Sequence, residues 1–123
     1  MSKENIFTID TSSIKFGNSS TLETGYEAKR FGITNALVVT DKVISKLPFF
    51  EDAIKSLERS NIKYSIFDRV SVEPTDSSFK EASQFALDGD FDGIVAIGGG
   101  SVMDTAKGAN LYSTYPADFL DYV

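Results

Sequence analysis

A chain of 123 residues with 41% hydrophobic side chains, including ten Phe and five Tyr, is long enough for one domain that buries about two-thirds of its unfolded surface. Twelve basic against 18 acidic side chains give a net charge of −6 with no basic cluster, so a nucleic-acid backbone finds no electrostatic footprint here. No apolar run approaches the ~20 residues of a membrane span, and the expectation is a soluble protein with neither nucleic-acid nor membrane partners.

Cysteine and histidine are both absent. The first absence removes disulfides and thiolate metal sites and fits a reducing compartment. The second removes every His-based metal site, triad or acid–base pair from these residues. The start, "MSKENIFTID", has neither an apolar signal core nor an Arg-rich amphipathic presequence, which reads as cytoplasmic.

In chain order, Phe7-Thr8-Ile9 and Ile14-Lys15-Phe16 alternate around "DTSS" and suggest a short hairpin. Ser20 with Glu23 forms a capping-box pattern for a first helix, in which Leu22 and Tyr26 share a face and Gly32 supplies the stop. "NALVVTD" (35–41) has the look of a strand buried on both faces. Phe50, Ala53, Ile54 and Leu57 then recur at helical spacing behind Pro48, a residue well tolerated in a first turn. "IKYSIF" (62–67) is the next strand, and Phe79, Ala82 and Ala86 mark a helix entered through the cap-rich "TDSS". "DGIVAI" (92–97) is another buried strand and 102–112 another helix. Strands alternating with helices of this length predict an α/β fold, a Rossmann-like, mostly parallel sheet with flanking helices.

In such a sheet, ligands bind where strand carboxyl ends lead into helix N-termini, and "GGGS" (98–101) lies at such a place. Gly98, Gly99 and Gly100 allow main-chain amides to approach an anion, and the helix start favours negative charge, so a pyrophosphate suits the loop. Ser101 either caps the helix or donates to phosphate. Asp104 and Lys107 follow at three-residue steps, as part of a site or as an exposed ion pair. No Gly-Lys-Ser/Thr closes a Walker loop, and Met103 stands where GxGxxG needs its third glycine. Asp41, ending its strand, either accepts a hydrogen bond from a ribose hydroxyl or caps the following turn.

Taken together, "VTDK" (39–42), "SKLP" (45–48), "VEPTDSS" (72–78), "VAIGGGSVMDTAKGANLY" (95–112) and "DFLDYV" (118–123) resemble the N-terminal part of iron-containing alcohol dehydrogenases. Within that family the hydroxyacid-oxoacid transhydrogenase branch is the most similar. The resemblance implies that 1–123 is an N-terminal dinucleotide-binding domain, incomplete as it stands, to be followed by an all-helical domain. It implies NAD(P) as coenzyme, with Gly98, Gly99, Gly100 and Ser101 on the pyrophosphate and Val102 continuing the helix start. Asp104 is implied on the nicotinamide side, and Asp41 beside the adenosine ribose. Family members hold a divalent metal, iron or zinc, with one Asp and three His, and this chain has no His. The metal and the catalytic residues are therefore expected outside these residues, in a longer enzyme.

For that parent the resemblance implies oxidation of a hydroxy acid such as 4-hydroxybutyrate coupled to reduction of an oxo acid such as 2-oxoglutarate. Relatives in animals imply a mitochondrial location if the source is eukaryotic, and a homo-oligomer stays open. A simple NAD(P)-dependent alcohol dehydrogenase and a non-catalytic nucleotide-binding module are the alternatives. The latter requires a self-sufficient fold, since an unfinished one leaves apolar sheet surface uncovered.

Overall fold

A computed structural model of the chain describes residues 19–71 and 75–114. The expected hairpin, the "VEP" part of the "VEPT" loop and the "DFLDYV" segment lie outside the described residues. Within them, helices and strands alternate: α1 (Thr24–Arg30), β1 (Asn35–Val39), α2 (Pro48–Arg59), β2 (Lys63–Phe67), α3 (Asp76–Asp88), β3 (Gly93–Ala96) and α4 (Gly100–Thr114). The strands form one parallel sheet in the order β2-β1-β3, with Ala36 opposite Tyr64 on one side and Gly93 on the other.

β1 is central, and its alternation divides the core. Ala36 and Val38 face Phe50, Ile54 and Leu57 of α2 and Ala28 of α1. Leu37 and Val39 face Ala82 of α3 and Val102, Ala106 and Ala109 of α4. Helices thus cover both faces, as the continuous apolar run of β1 requires. β3 is less covered than expected: Ile94 and Val95 are half-buried and Ala96 is exposed. Among the described residues it pairs only with β1, so its outer edge lacks a neighbour.

The first helix departs from expectation. Ser20 does not cap it; Ser20–Glu23 form a 3-10 turn, and α1 begins at Thr24 with no side-chain cap bond. Leu22 and Tyr26 remain 40% and 60% exposed, because the buried face is made of the small residues Gly25 and Ala28. A Cβ on Gly25 would stand 2.2 Å from the Ser56 carbonyl oxygen, so glycine alone permits this approach of α1 to α2. The buried Ser56 hydroxyl accepts the Gly25 N–H at 2.8 Å and donates to the Leu22 carbonyl at 2.6 Å.

Helix ends follow the expected chemistry, and extend it. Gly32 adopts φ +78 and ends α1, with the Ile33 N–H donating back to the Ala28 carbonyl at 3.1 Å. Asn61, at φ +58, ends α2 in the same way through the bond from Ile62 to Leu57. Pro48 occupies the first turn of α2, and Thr75 caps α3 in a reciprocal pair with Ser78.

At the amino ends of the strands, Asp92 ties β1 to β3. Its carboxylate accepts the Thr34 hydroxyl and the main-chain N–H groups of Thr34 and Asn35. The Thr34 hydroxyl, then the Asn35 amide, hold the Asp92 carboxyl below the usual carboxylate range. A carboxyl depressed in the folded state stabilises the fold above its unfolded value, about 3.9, and this stabilisation is lost as pH falls through the folded one. The stability gap between wild type and Asp92→Asn is accordingly expected to stay constant above about pH 5 and to narrow progressively below it, as read from denaturation midpoints across that range.

Candidate functional site

The carboxyl ends of β1 and β3 are adjacent, yet their connections part: β1 leads to α2 on one face, β3 to α4 on the other. The crevice opened by such a divergence is the usual ligand position in doubly wound sheets. A cavity of about 360 Å³ occupies it, lined by Asp41, Lys42 and Val43 after β1, Val70 and Ser71 after β2, and Gly99, Gly100, Ser101 and Val102 after β3. A second hollow of about 350 Å³ lies at the amino ends, lined by Asp90, Asp92, Asn110 and Ser113 among others, away from the glycine loop.

The three glycines do different work. Gly98 has φ +155, and a Cβ there would stand 2.6 Å from Val102 Cγ2, so this glycine is required by the turn itself. At Gly99 and Gly100 an added Cβ would meet nothing within 4 Å, and both residues line the cavity. Their bareness serves no packing contact; it leaves the main chain open to whatever enters.

α4 starts at Gly100, two residues before the expected start, because the Gly99 carbonyl accepts the first helical bond from Met103 at 3.1 Å. Ser101 is therefore not the cap but a member of the first turn. The amides of Gly100 and Val102 have no acceptor inside the helix, and an anion at the helix start satisfies such groups. The Val102 side chain is buried at 1% exposure beneath Gly98 and in the α3–α4 core, so Val102 can meet a ligand chiefly through its main chain.

Asp41 takes both of its expected parts within reach. Its Oδ1 accepts the Val43 and Ile44 amides at 2.9 and 2.7 Å, capping the turn that follows. The other carboxylate oxygen has no partner among the described residues, and the residue lines the cavity. Asp104 stands exposed beyond the cavity lining, and among the described residues no ion pair joins it to Lys107. Lys107 instead borders a shallower hollow with Ile94, Ala96 and Met103. The structure thus brings together Asp41 and 99–102, seats Gly98 behind them, and leaves Asp104 aside.

Thr40, inside the "VTDK" motif but given no role by it, and Val70 and Ser71, which fall in no motif, also belong to this neighbourhood. Position after a strand is the one available signal, and it marks Thr40 and Val70 no more than any other loop residue. Among the described residues, no three Asp or Glu side chains converge as metal ligands do.

Comparison with known proteins places the chain among relatives. The human mitochondrial hydroxyacid-oxoacid transhydrogenase is 50% identical over 118 residues, covering 95% of this chain and 25% of that protein. A probable mitochondrial hydroxyacid-oxoacid transhydrogenase of Dictyostelium discoideum is 44% identical over 126 residues, covering 95% of this chain and 23% of that protein. The chain therefore spans about a quarter of the length of these relatives. Among solved structures, the NADH-dependent butanol dehydrogenase A of Thermotoga maritima superimposes with a TM-score of 0.88 at 28% identity, covering 96% of this chain and 30% of its own. An archaeal halo-thermophilic alcohol dehydrogenase from a Red Sea brine pool gives a TM-score of 0.83 at 32% identity, covering 96% and 29%. The profile of iron-containing alcohol dehydrogenases matches residues 11–123. With residues 11–123 matched by the family profile, and the described fold superimposing on solved members, the chain belongs to the iron-containing alcohol dehydrogenase family.

Proposed function

We propose that residues 1–123 are the coenzyme-binding part of a longer hydroxyacid-oxoacid transhydrogenase. The observation that carries the reading is the bare main chain of Gly99 and Gly100 at the crevice between β1 and β3. In this reading the coenzyme pyrophosphate lies against Gly98, Gly99, Gly100 and Ser101, where main-chain N–H groups and the start of α4 meet its negative charge. The second oxygen of Asp41, its first already committed to the turn, accepts from an adenosine ribose hydroxyl. Asp104 serves the nicotinamide side by standing beyond this cavity along α4.

The reaction proposed is an exchange between two small acids. A 4-hydroxy acid such as 4-hydroxybutyrate loses a hydride and a proton to become succinate semialdehyde, and a 2-oxo acid such as 2-oxoglutarate gains both to become 2-hydroxyglutarate. When bound, NAD(H) or NADP(H) supplies the hydride carrier between them. What this chain contributes is binding and orientation. The ligands of a divalent metal, iron or zinc, are placed outside these residues. A mitochondrial location, as in the names of the relatives, goes with a eukaryotic source.

The second reading, an NAD(P)-dependent alcohol dehydrogenase, is favoured by the superposition on the butanol dehydrogenase. One assay separates them. The protein in its full natural length, given both acids and a trace of coenzyme, is expected to form succinate semialdehyde and 2-hydroxyglutarate in equal amounts without accumulating reduced coenzyme. Accumulation of reduced coenzyme, with no need for the oxo acid, would establish the dehydrogenase instead. Residues 1–123 alone are expected to turn over neither acid with any added metal.

A further inference from the structure

Thr40 stands directly after β1, between the two segments that frame the cavity, and is fully buried. Its main-chain N–H donates to the carbonyl of Phe67, the last residue of β2, at 2.9 Å. Its hydroxyl donates to the carbonyl of Ile97 at 2.8 Å. The Ile97 N–H, in turn, donates to the Val39 carbonyl at 2.9 Å. One residue thus links the carboxyl ends of all three strands, and Ile97 is bonded at both its N–H and its carbonyl immediately before Gly98.

That place is where the main chain most needs an external restraint. The β3 ladder ends at Ala96, and Gly98 lacks a Cβ and can adopt more backbone conformations than any other residue type. From below, Val102 blocks one direction. From the β1 side, the restraint on the Ile97–Gly98 peptide is the Thr40 hydroxyl. A pre-set loop matters for an anion cradle, because amides already aimed at the ligand need no reorganisation when it binds.

We propose that Thr40 is a positioning residue for the glycine loop: its hydroxyl fixes the Ile97 carbonyl and so sets the direction in which the Gly99 and Gly100 main chain faces the cavity. The proposal rests on the coenzyme reading for its ligand, but not for the restraint itself. Isosteric Thr40→Val removes the donor while keeping volume and branching, and Thr40→Ser keeps the donor. Both are made in the protein of full natural length, with NADH as the probe. Thr40→Val is expected to bind NADH roughly tenfold more weakly, a loss on the scale of one buried hydrogen bond. In the ligand-free protein its amides at 98–101 are expected to exchange with solvent deuterium faster, while those of α2 and β2 are unchanged. Thr40→Ser is expected to restore both readouts.

A packing role alone would instead lower the thermal midpoint and raise exchange across the sheet, with NADH affinity intact. Wild-type affinity in Thr40→Val, or failure of Thr40→Ser to restore the loop, overturns the proposal. If the unsubstituted protein bound no NADH, the coenzyme reading would fall, and the exchange data would still decide whether Thr40 holds the loop. Should Thr40→Val not fold, Thr40→Cys, a much poorer donor close in size to serine, takes its place in the comparison with Thr40→Ser.

Discussion

Gly99→Val is expected to weaken coenzyme binding about a hundredfold, the loss of one or two charge-assisted bonds of roughly 1.5–3 kcal/mol each, while the fold stays in place. The reason lies in the difference between neighbouring glycines. A Cβ at Gly98 would run into Val102, whereas one at Gly99 meets nothing within 4 Å and points into open space beside the cavity. Gly99 also lacks the positive φ that would strain a side chain. Valine is a poor residue at the start of a helix, which costs about 1 kcal/mol of local stability, too little to unfold a packed helix. The measurement is a titration with NADH beside a circular dichroism spectrum. Equal affinity with an unchanged spectrum would show that the pyrophosphate does not lie on this loop.

The largest expected loss of stability follows Leu37→Ala, at about 2–5 kcal/mol. Leu37 sits on the central strand at 1% exposure, facing Val102, Ala106 and Ala109 of α4 and Ala82 of α3. The same cluster contains the rings of Phe67, Phe85 and Phe91, which are fixed by their own packing, Phe67 and Phe91 each against Phe85 at 5.4 and 6.2 Å between centroids. The cavity term should therefore persist on top of the lost transfer energy. A shift in the denaturation midpoint equivalent to less than about 1 kcal/mol would mean that this face of β1 relaxes freely, contrary to its packing.

Much of the candidate site's backbone was legible because it depends on local chemistry. "GGGS" between an apolar run and a helix marks a bare main chain at a helix start, whatever surrounds it. Asp41 was legible as the cap of the following turn, which its Oδ1 provides, and the other carboxylate oxygen has no partner among the described residues. Of the two parts open to Ser101, the cap falls away, although a serine before a helical run looks like one. Gly99 holds the cap position, its carbonyl accepting the Met103 N–H, and the helix reaches back two residues further than its apolar spacing shows. Leu22 and Tyr26 misled for a related reason. Helical spacing identifies a shared face, but that α1 approaches α2 through Gly25 depends on Ser56, thirty-one residues away.

Sequence by itself therefore determined the alternation of strands and helices, the cap-rich entry to α3 and the stop at Gly32, the burial of β1 on both faces and the glycine loop at the start of α4. Each follows from neighbours within a few residues, through hydrophobic period, backbone freedom or a side chain bonding its own turn. Tertiary structure alone decided the strand order β2-β1-β3, which makes the β1 and β3 ends adjacent and divergent and so creates the crevice. It alone separated Gly98, barred from a side chain by Val102, from Gly99 and Gly100, left bare before open space. It also brought the Thr40 hydroxyl to the Ile97 carbonyl across fifty-seven residues. The physical reason is the same in each case: these properties belong to pairs of groups distant in the chain, and no local pattern encodes a distance that only the closed sheet defines.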